Sequence, residues 1–142
     1  MLPRGIRNNN PGNINYIGQP GACLEPKTAT VPNPRFAKFQ TMDQGVRALA
    51  FQLKLYFGRG LDTTGEIIHK WAPPSENNTA DYADTVACLL GVSPDATLTC
   101  DTQTIAKLVM AISTYECGGR YLPFTQDSIT PLVAGVLTPT IS

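Results

Sequence analysis

The chain has 142 residues, a formal net charge of zero, 42% hydrophobic residues and 15% charged residues. This length fits one domain, which can bury about two-thirds of the surface of its unfolded chain. No apolar run approaches the roughly 20 residues that a membrane-spanning helix needs. The N-terminus also lacks the hydrophobic segment of a signal peptide. We therefore predict a single globular domain of residues 1–142 without a membrane span.

The charges are divided unevenly along the chain. Residues 1–59 contain eight lysines and arginines but only two acids, Glu25 and Asp43, whereas residues 60–142 contain three bases and nine acids. A basic first part suits an anionic polymer, and two halves that neutralise each other when packed explain the pattern equally well. The bases are dispersed and no recognition motif accompanies them, which argues against a nucleic-acid partner.

The cysteines and the single histidine give no sign of a metal site. None of the four cysteines belongs to a CxxC motif, and His69 is the only histidine, so we predict no metal and no organic cofactor. Cys88 and Cys100 flank a short predicted loop, where they could pair in an oxidising compartment. Buried free thiols are the alternative if the protein stays in the cytoplasm.

Residues 1–40 are predicted to form a loop-rich β-lobe. Polar and apolar residues alternate over residues 13–17 and again over residues 35–39, as in half-buried strands. Residues 18–21 are expected to form a turn, and residues 22–35, which include three prolines, an irregular loop.

Residues 41–142 are predicted to form a helical lobe, because apolar residues recur there at helical spacing. A fifth and last helix is expected over residues 125–137, with Pro131 beginning or kinking it. The fold class is therefore α+β and mostly α. The first four helices have candidate N-terminal caps at Thr41 or Asp43, Thr63 or Thr64, Asn78 or Thr79, and Asp101.

The fourth helix, within residues 101–119, carries the first candidate for a catalytic residue. Four apolar residues share one helix face, and the next position on that face is Glu116, just before Gly118 and Gly119 end the helix. Burial without a nearby cation favours a protonated carboxyl group, which a proton donor requires. The alternative is a side chain that turns out to water at the helix end. The apolar stripe consists of Ile105, Leu108, Val109 and Ile112.

Carboxylates are the plausible catalytic groups, since the chain has no phosphate-binding loop and no nucleophile motif. Cleavage of a glycosidic bond needs one acid to protonate the leaving oxygen, and some mechanisms need a second carboxylate. Glu116 suits the first role. Glu25, ahead of Asp43, is the candidate for the second role, and a solvated loop or cap position is the alternative for both.

Three motifs resemble those of lytic transglycosylases and bacterial glucosaminidases. YECGG, with Glu116, resembles their helix-ending Glu-Ser-Gly motif, although Cys117 replaces the serine. ENNTADYADTV, with Tyr82, resembles the Glu-Thr-x-x-Tyr-Val segment of the transglycosylases. NNPGNINYIG, with Asn13, and the later RFAKFQTMDQGVRALAFQL resemble a glucosaminidase strand, loop and helix. RGIRNNNPGNI and WAPPSENNTADY also resemble phage virion proteins of lysozyme-like character.

The resemblance implies a lysozyme-like fold in circularly permuted order, because the glutamate helix comes first in those families and near the end here. Glu116 would be the catalytic acid and Tyr82 would hold or polarise the site. A muramidase that uses Glu25 as second carboxylate is the close alternative to a transglycosylase. Substrate-binding candidates are Asn13, Tyr16, Gln40 and Asn77.

The function that this resemblance implies is cleavage of peptidoglycan between N-acetylmuramic acid and N-acetylglucosamine by a phage-type enzyme. Its partners would be bacterial peptidoglycan and other virion proteins. It would be virion-associated or delivered to the host periplasm and cell wall. The competing hypothesis is a non-catalytic virion component that keeps the fold as a structural or wall-binding module.

Overall fold

A computed structural model describes residues 1–75 and 77–138 of the chain. Within these residues the chain is mostly helical with one two-stranded antiparallel sheet, so the predicted α+β, mostly α class is confirmed. The elements are α1 (Arg4–Arg7), β1 (Ala22–Leu24), β2 (Ala37–Phe39), α2 (Met42–Gly58), α3 (Thr64–Trp71), α4 (Thr79–Leu90), α5 (Thr102–Cys117), a 3₁₀ helix (Gly119–Tyr121) and α6 (Gln126–Leu137).

Helices α2 to α5 begin where the sequence places capping residues. The Thr41 hydroxyl accepts from the backbone N–H of Gln44 at 3.2 Å, and the Gln44 side chain accepts from the Thr41 N–H at 3.1 Å, which caps α2 reciprocally. Thr63 and Asn78 cap α3 and α4, and Asp101 caps α5 with a bond of 2.8 Å. These side chains satisfy N–H groups that have no partner within the helix.

Helix α5 lies at the centre of the helical lobe. It packs against α1, α2, α4 and α6, and the four residues of its predicted apolar stripe are fully buried. Burial of each such side chain contributes about 1.5–3 kcal/mol. The core therefore fixes the direction of α5 and the place where its last turn ends. Pro131 lies inside α6 rather than at its first turn.

The β-lobe differs from its prediction. Residues 13–17 do not form a strand, and only Asn15 makes an isolated bridge, with Phe36. Asn13 has a φ of 51°, outside the extended region, which ends any strand at this point. Strand β2 pairs instead with β1, which lies in the segment predicted as an irregular loop.

Asn9 and Asn10 join the N-terminal segment to β2. The Asn10 amide donates to the carbonyl oxygens of Ala37 at 2.8 Å and Ile14 at 2.9 Å, and the Asn9 amide donates to that of Phe39 at 3.0 Å. Asn10 is completely buried, so these bonds also replace the water that it has lost. Because of them, residues 9–14 are held between the sheet and the helices.

The four cysteines are free thiols, so the suggested bond between Cys88 and Cys100 is not formed. Cys117 is buried, whereas the other three are exposed, contrary to the expectation of buried thiols. In the described part of the chain, no helix combines the length and the apolar character that crossing a bilayer requires.

Candidate active site

Glu116 lies in the last turn of α5 and lines a cavity of about 340 Å³. It is half-buried, and the helix ends one residue later, where Gly118 takes a φ of 83°. Such a positive φ favours glycine. The apolar stripe that leads to Glu116 therefore brings its carboxylate to the wall of a cavity rather than into bulk water.

Two neutral side chains hold the Glu116 carboxylate. The Asn13 amide donates to Oε1 at 2.8 Å, and the Tyr82 hydroxyl donates to Oε2 at 2.7 Å. These partners lie 103 and 34 residues away along the chain. The fold thus brings together three residues that the sequence had picked out separately, and it gives each carboxylate oxygen its own donor.

Tyr82 holds the Glu116 carboxylate from within the core. It is 1% exposed, does not line the cavity, and stacks on Tyr115 with 3.7 Å between ring centroids. Burial, and then the charge and hydrogen bond of Glu116, raise the pKa of the Tyr82 hydroxyl far above its ordinary value, while a hydrogen bond with Trp71 acts in the opposite direction. The phenol therefore keeps its proton and remains a donor to Glu116. Since it lacks access to the cavity, Tyr82 is a positioning residue.

Asn13 is held by the close approach of α1. A Cβ atom added at Gly5 would lie 3.1 Å from Asn13 Oδ1 and 2.6 Å from the Cys117 sulfur, so only glycine fits here. Asn13 Oδ1 is itself buried without a hydrogen-bond partner. Asparagine tolerates the left-handed φ that this position takes. The packing fixes the amide so that its nitrogen faces Glu116.

The cavity wall combines aromatic, polar and basic side chains from the N-terminal segment, the approach to β2, helices α2, α3 and α5, and the loop after α3. Apart from Asn13, Asn77 and Glu116, its side chains were not predicted as site residues, although the single tryptophan at the end of α3 was a usable signal, since a tryptophan offers both a large apolar face and a polar N–H group. Arg35 and Lys70 are the cations on the wall, and Glu116 is its one acid among the described residues. The newly found side chains are Ile14, Asn15, Ile17, Arg35, Phe36, Gln52, Tyr56, Lys70 and Trp71.

Glu25 does not join Glu116. It is 3% exposed and lines a different cavity of about 190 Å³. Arg4 donates to both of its oxygens, one of them at 2.8 Å, and Asn8 donates at 3.0 Å. The backbone N–H groups of Arg35 and Phe36 donate at 3.0 and 2.8 Å.

These bonds explain the ionisation of Glu25. Burial alone would raise its pKa, but the hydrogen bonds from Arg4 and the other donors outweigh burial and lower the pKa to about 2. All its acceptor positions are used within the protein. The geometry therefore gives no support to Glu25 as a second catalytic carboxylate, and its role is to join α1 to the β-lobe.

Of the remaining predicted residues, only some line the cavity. Asn77 lines the cavity, whereas Tyr16 and Gln40 are exposed and lie outside its lining. Asp43 is exposed in the first turn of α2. His69 is exposed and its Nδ1 forms a hydrogen bond with the Gly65 carbonyl oxygen, and no cluster within residues 1–75 and 77–138 has the composition of a metal site.

The chain is similar in sequence to a phage protein. No family model matches the chain. It is 35% identical over 127 residues to Protein P5 of Pseudoalteromonas phage PM2, and the alignment covers 89% of this chain and 77% of the phage protein. The similarity therefore relates nearly the whole domain and not one motif.

Proposed function

This chain belongs to the family of Protein P5 of Pseudoalteromonas phage PM2, and we propose that it is a phage peptidoglycan-degrading enzyme. It cleaves the glycosidic bond between N-acetylmuramic acid and N-acetylglucosamine. The observation that carries the proposal is the placement of Glu116, whose two oxygens are held by Asn13 and Tyr82 at the wall of the 340 Å³ cavity. A cavity of this size accommodates a sugar-sized ligand.

A lysozyme-like fold in permuted order is part of this proposal. Two features support it: the glutamate ends a central helix near the end of the chain, and residues of the N-terminal segment and β-lobe face α2 and α3 across the cavity. In this arrangement the groove for the saccharide runs between the β-lobe and the helices. The permuted order changes only where the chain begins, not which elements meet.

Glu116 acts first as a general acid. It donates its proton to the glycosidic oxygen while the bond from that oxygen to C1 of the muramoyl residue breaks. The acetamido oxygen of the same sugar attacks C1 as the leaving group departs. The sugar's own 6-hydroxyl then attacks C1, displaces the acetamido oxygen and returns its proton to Glu116. The product is a 1,6-anhydro sugar, and the enzyme is restored.

This route is favoured over hydrolysis with a second carboxylate because it needs only one. Among the described residues, Glu116 is the one acid on the cavity wall. Its two donors keep the carboxyl group in one orientation while it serves as acid and then as base. Such positioning of the catalytic group is a recognised contribution to rate.

The test uses Glu116→Gln, which removes the ionisable group but keeps its size. We expect the loss of turbidity of purified cell walls to slow by about a hundredfold or more, since general acid catalysis contributes about 10²–10⁴-fold. Glu66→Gln is the matched control, because Glu66 is exposed on α3 and does not line the cavity. Mass spectrometry of the released fragments should show 1,6-anhydro ends. Reducing ends would instead identify a hydrolase.

A result that overturns the enzyme proposal is equally clear. If the unaltered protein binds walls and releases no fragments, or if Glu116→Gln clears walls as well as the parent, Glu116 is not the acid. The non-catalytic virion component would then be the better description. The phage relative makes association with the virion, or delivery to the host cell wall, the proposed location in either case.

A further inference from the structure

Trp71 contacts both the cavity and the side chains that hold Glu116. It is the last residue of α3, lines the cavity and is half-buried. Its indole packs edge-to-face with the ring of Tyr56, with 6.3 Å between ring centroids and 74° between ring planes. This is a favourable geometry for two aromatic rings. The indole therefore has a fixed place in the cavity wall.

The indole N–H group of Trp71 donates a hydrogen bond to Tyr82. Burial and then Glu116 raise the pKa of the Tyr82 hydroxyl, whereas a hydrogen bond with Trp71 lowers it. Since an indole N–H group only donates, the Tyr82 oxygen is the acceptor. The same hydroxyl donates to Glu116 Oε2 at 2.7 Å. The two hydrogen bonds therefore run in one direction, from the cavity wall through Tyr82 to the carboxylate.

This direction determines where the hydroxyl hydrogen of Tyr82 points. A hydroxyl group can rotate about its C–O bond, so its hydrogen takes the acceptor that its surroundings offer. The Trp71 N–H group offers none, and the hydrogen is left to Glu116. The bond from Trp71 also polarises the hydroxyl, because consecutive hydrogen bonds strengthen one another. Trp71 thus makes Tyr82 a better donor to the carboxylate.

Trp71 also supports Asn13, the other donor to Glu116. A Cβ atom added at Gly12 would lie 2.9 Å from Cζ2 of Trp71, so the indole lies directly against the buried backbone of Gly12. Asn13 is the next residue, and its amide donates to Glu116 Oε1 at 2.8 Å. A displaced indole would therefore disturb both residues that hold Glu116.

We propose that Trp71 is a positioning residue of this site, which orients Glu116 through Tyr82 and Asn13. The kinetic consequence of this inference rests on the proposed function, whereas the hydrogen-bond chain does not. The ring of Trp71 forms part of the wall, and its N–H group acts on the carboxylate through Tyr82. A change confined to the N–H group should therefore slow the reaction step without weakening the binding of substrate.

The hydrogen-bond chain can be tested without any activity. Trp71 is the only tryptophan, so its indole N–H group gives a single side-chain signal in a proton–nitrogen correlation spectrum. We expect Tyr82→Phe to shift this signal and to speed the exchange of its hydrogen with solvent about tenfold, since the acceptor is lost. Glu116→Gln should shift the signal in the parent and leave it in place in the Tyr82→Phe background.

Tyr121→Phe is the matched control for the spectrum. The Tyr121 hydroxyl accepts from Arg120, and Tyr121 does not line the cavity. Its loss should leave the indole signal and its exchange unchanged. An indole signal that Tyr82→Phe neither shifts nor exposes to exchange overturns the inference.

The kinetic test replaces Trp71 by benzothienylalanine, which keeps the shape of the indole and has sulfur in place of the N–H group. The single tryptophan makes this replacement specific to one position. We expect kcat on soluble glycan fragments to fall about threefold while KM stays within about twofold. In the Tyr82→Phe background the same replacement should change kcat by less than about 1.5-fold, because the hydroxyl through which it acts is absent. Fluorotryptophan, which keeps the N–H group, should restore kcat.

The outcomes separate this inference from the proposed function. An effect of benzothienylalanine that is equally large with and without the Tyr82 hydroxyl, or that falls on KM alone, overturns the inference. Fragment release by the unaltered protein would then still support the enzyme. If the unaltered protein releases no fragments, the proposed function fails, and the indole signal in Tyr82→Phe alone decides whether Trp71 acts on Glu116 through Tyr82.

Discussion

Glu25 and Glu116 are two glutamates with opposite surroundings. Glu25 is buried in the β-lobe and accepts hydrogen bonds from four residues, one of them the cation Arg4, whereas Glu116 is half-buried, has two neutral donors and faces a cavity. The Glu25 carboxylate joins α1 to the β-lobe. The Glu116 carboxylate has one donor for each oxygen and lines a cavity that a ligand can occupy. Partners and access, and not burial by itself, distinguish a structural carboxylate from one available for chemistry.

Helix α1 connects these two sites. Arg4 binds Glu25, and the next residue, Gly5, packs against Asn13, which in turn binds Glu116. The contrast between the sites can therefore be tested by variants that act on one glutamate, on the other, or on the element that both share.

The largest expected effect on stability is that of Glu25→Gln. It leaves the partly exposed Arg4 guanidinium without its charged partner, and we expect the free energy of unfolding to fall by about 2 kcal/mol, less than for a fully buried ion pair. Urea denaturation measures this value. Glu116→Gln should cost less than about 1 kcal/mol, because its partners are neutral and water can reach the cavity. Equal losses of unfolding free energy in the two variants would contradict the proposed difference between Glu25 and Glu116.

Low pH should remove the contribution of ionised Glu25 to the free energy of unfolding in the unaltered protein. The pKa of Glu25 is about 2 in the folded protein, below its ordinary value of 4.5, so the unfolded chain binds the proton more readily. The contribution is thus complete above about pH 4.5 and is lost as the pH falls to about 2. Because the Arg4 side chain is 31% exposed, solvent screening reduces the expected loss to about 2 kcal/mol. Urea denaturation at a series of pH values should show this slope, and Glu25→Gln should flatten it.

Gly5→Ala tests the shared element. The new methyl group would lie 2.8 Å from the Asn10 carbonyl oxygen and 2.6 Å from the Cys117 sulfur, so α1 or Asn13 must move. We expect a loss of about 1.5 kcal/mol in unfolding free energy, typical of overpacking, together with slower wall degradation. Gly58→Ala is the control, because a Cβ atom there meets open space. Full activity in a destabilised Gly5→Ala protein would show that Asn13 does not depend on α1.

Tyr82→Phe should have a smaller effect on stability than Gly5→Ala. It removes one hydrogen bond to Glu116 and leaves the stacked ring in place, so we expect a loss of about 1 kcal/mol in unfolding free energy. Because Tyr82 does not line the cavity, kcat should fall by about fivefold while KM stays nearly constant, which corresponds to a loss of positioning alone. Steady-state kinetics on soluble glycan fragments separates the two constants. A rise in KM alone would mean that Tyr82 contacts the substrate.

The helices were predictable because each signal is local. Thr41, Asp101 and Gly91 mark helix ends through contacts within a few residues, and the stripe in α5 shows its buried face by spacing alone. The small sheet was not predictable in the same way. Strand β1 has no alternation of burial, and the residues 13–17 that do alternate in polarity are prevented from forming a strand by the positive φ of Asn13. The tertiary contacts of Asn13, with Gly5 of α1 and with Glu116, are not visible in the sequence pattern.

Local patterns were enough to predict the helix that ends in Glu116 and to single out Asn13, Tyr82 and Glu25 as candidates. Packing settles which of these side chains meet. Asn13 and Tyr82 reach Glu116 through the packing of α1 and α4 on α5, and Glu25 binds Arg4 instead. Hydrogen bonds and ion pairs act over a few ångströms, whereas these partners lie from about twenty to about a hundred residues apart along the chain, so a local pattern does not report them.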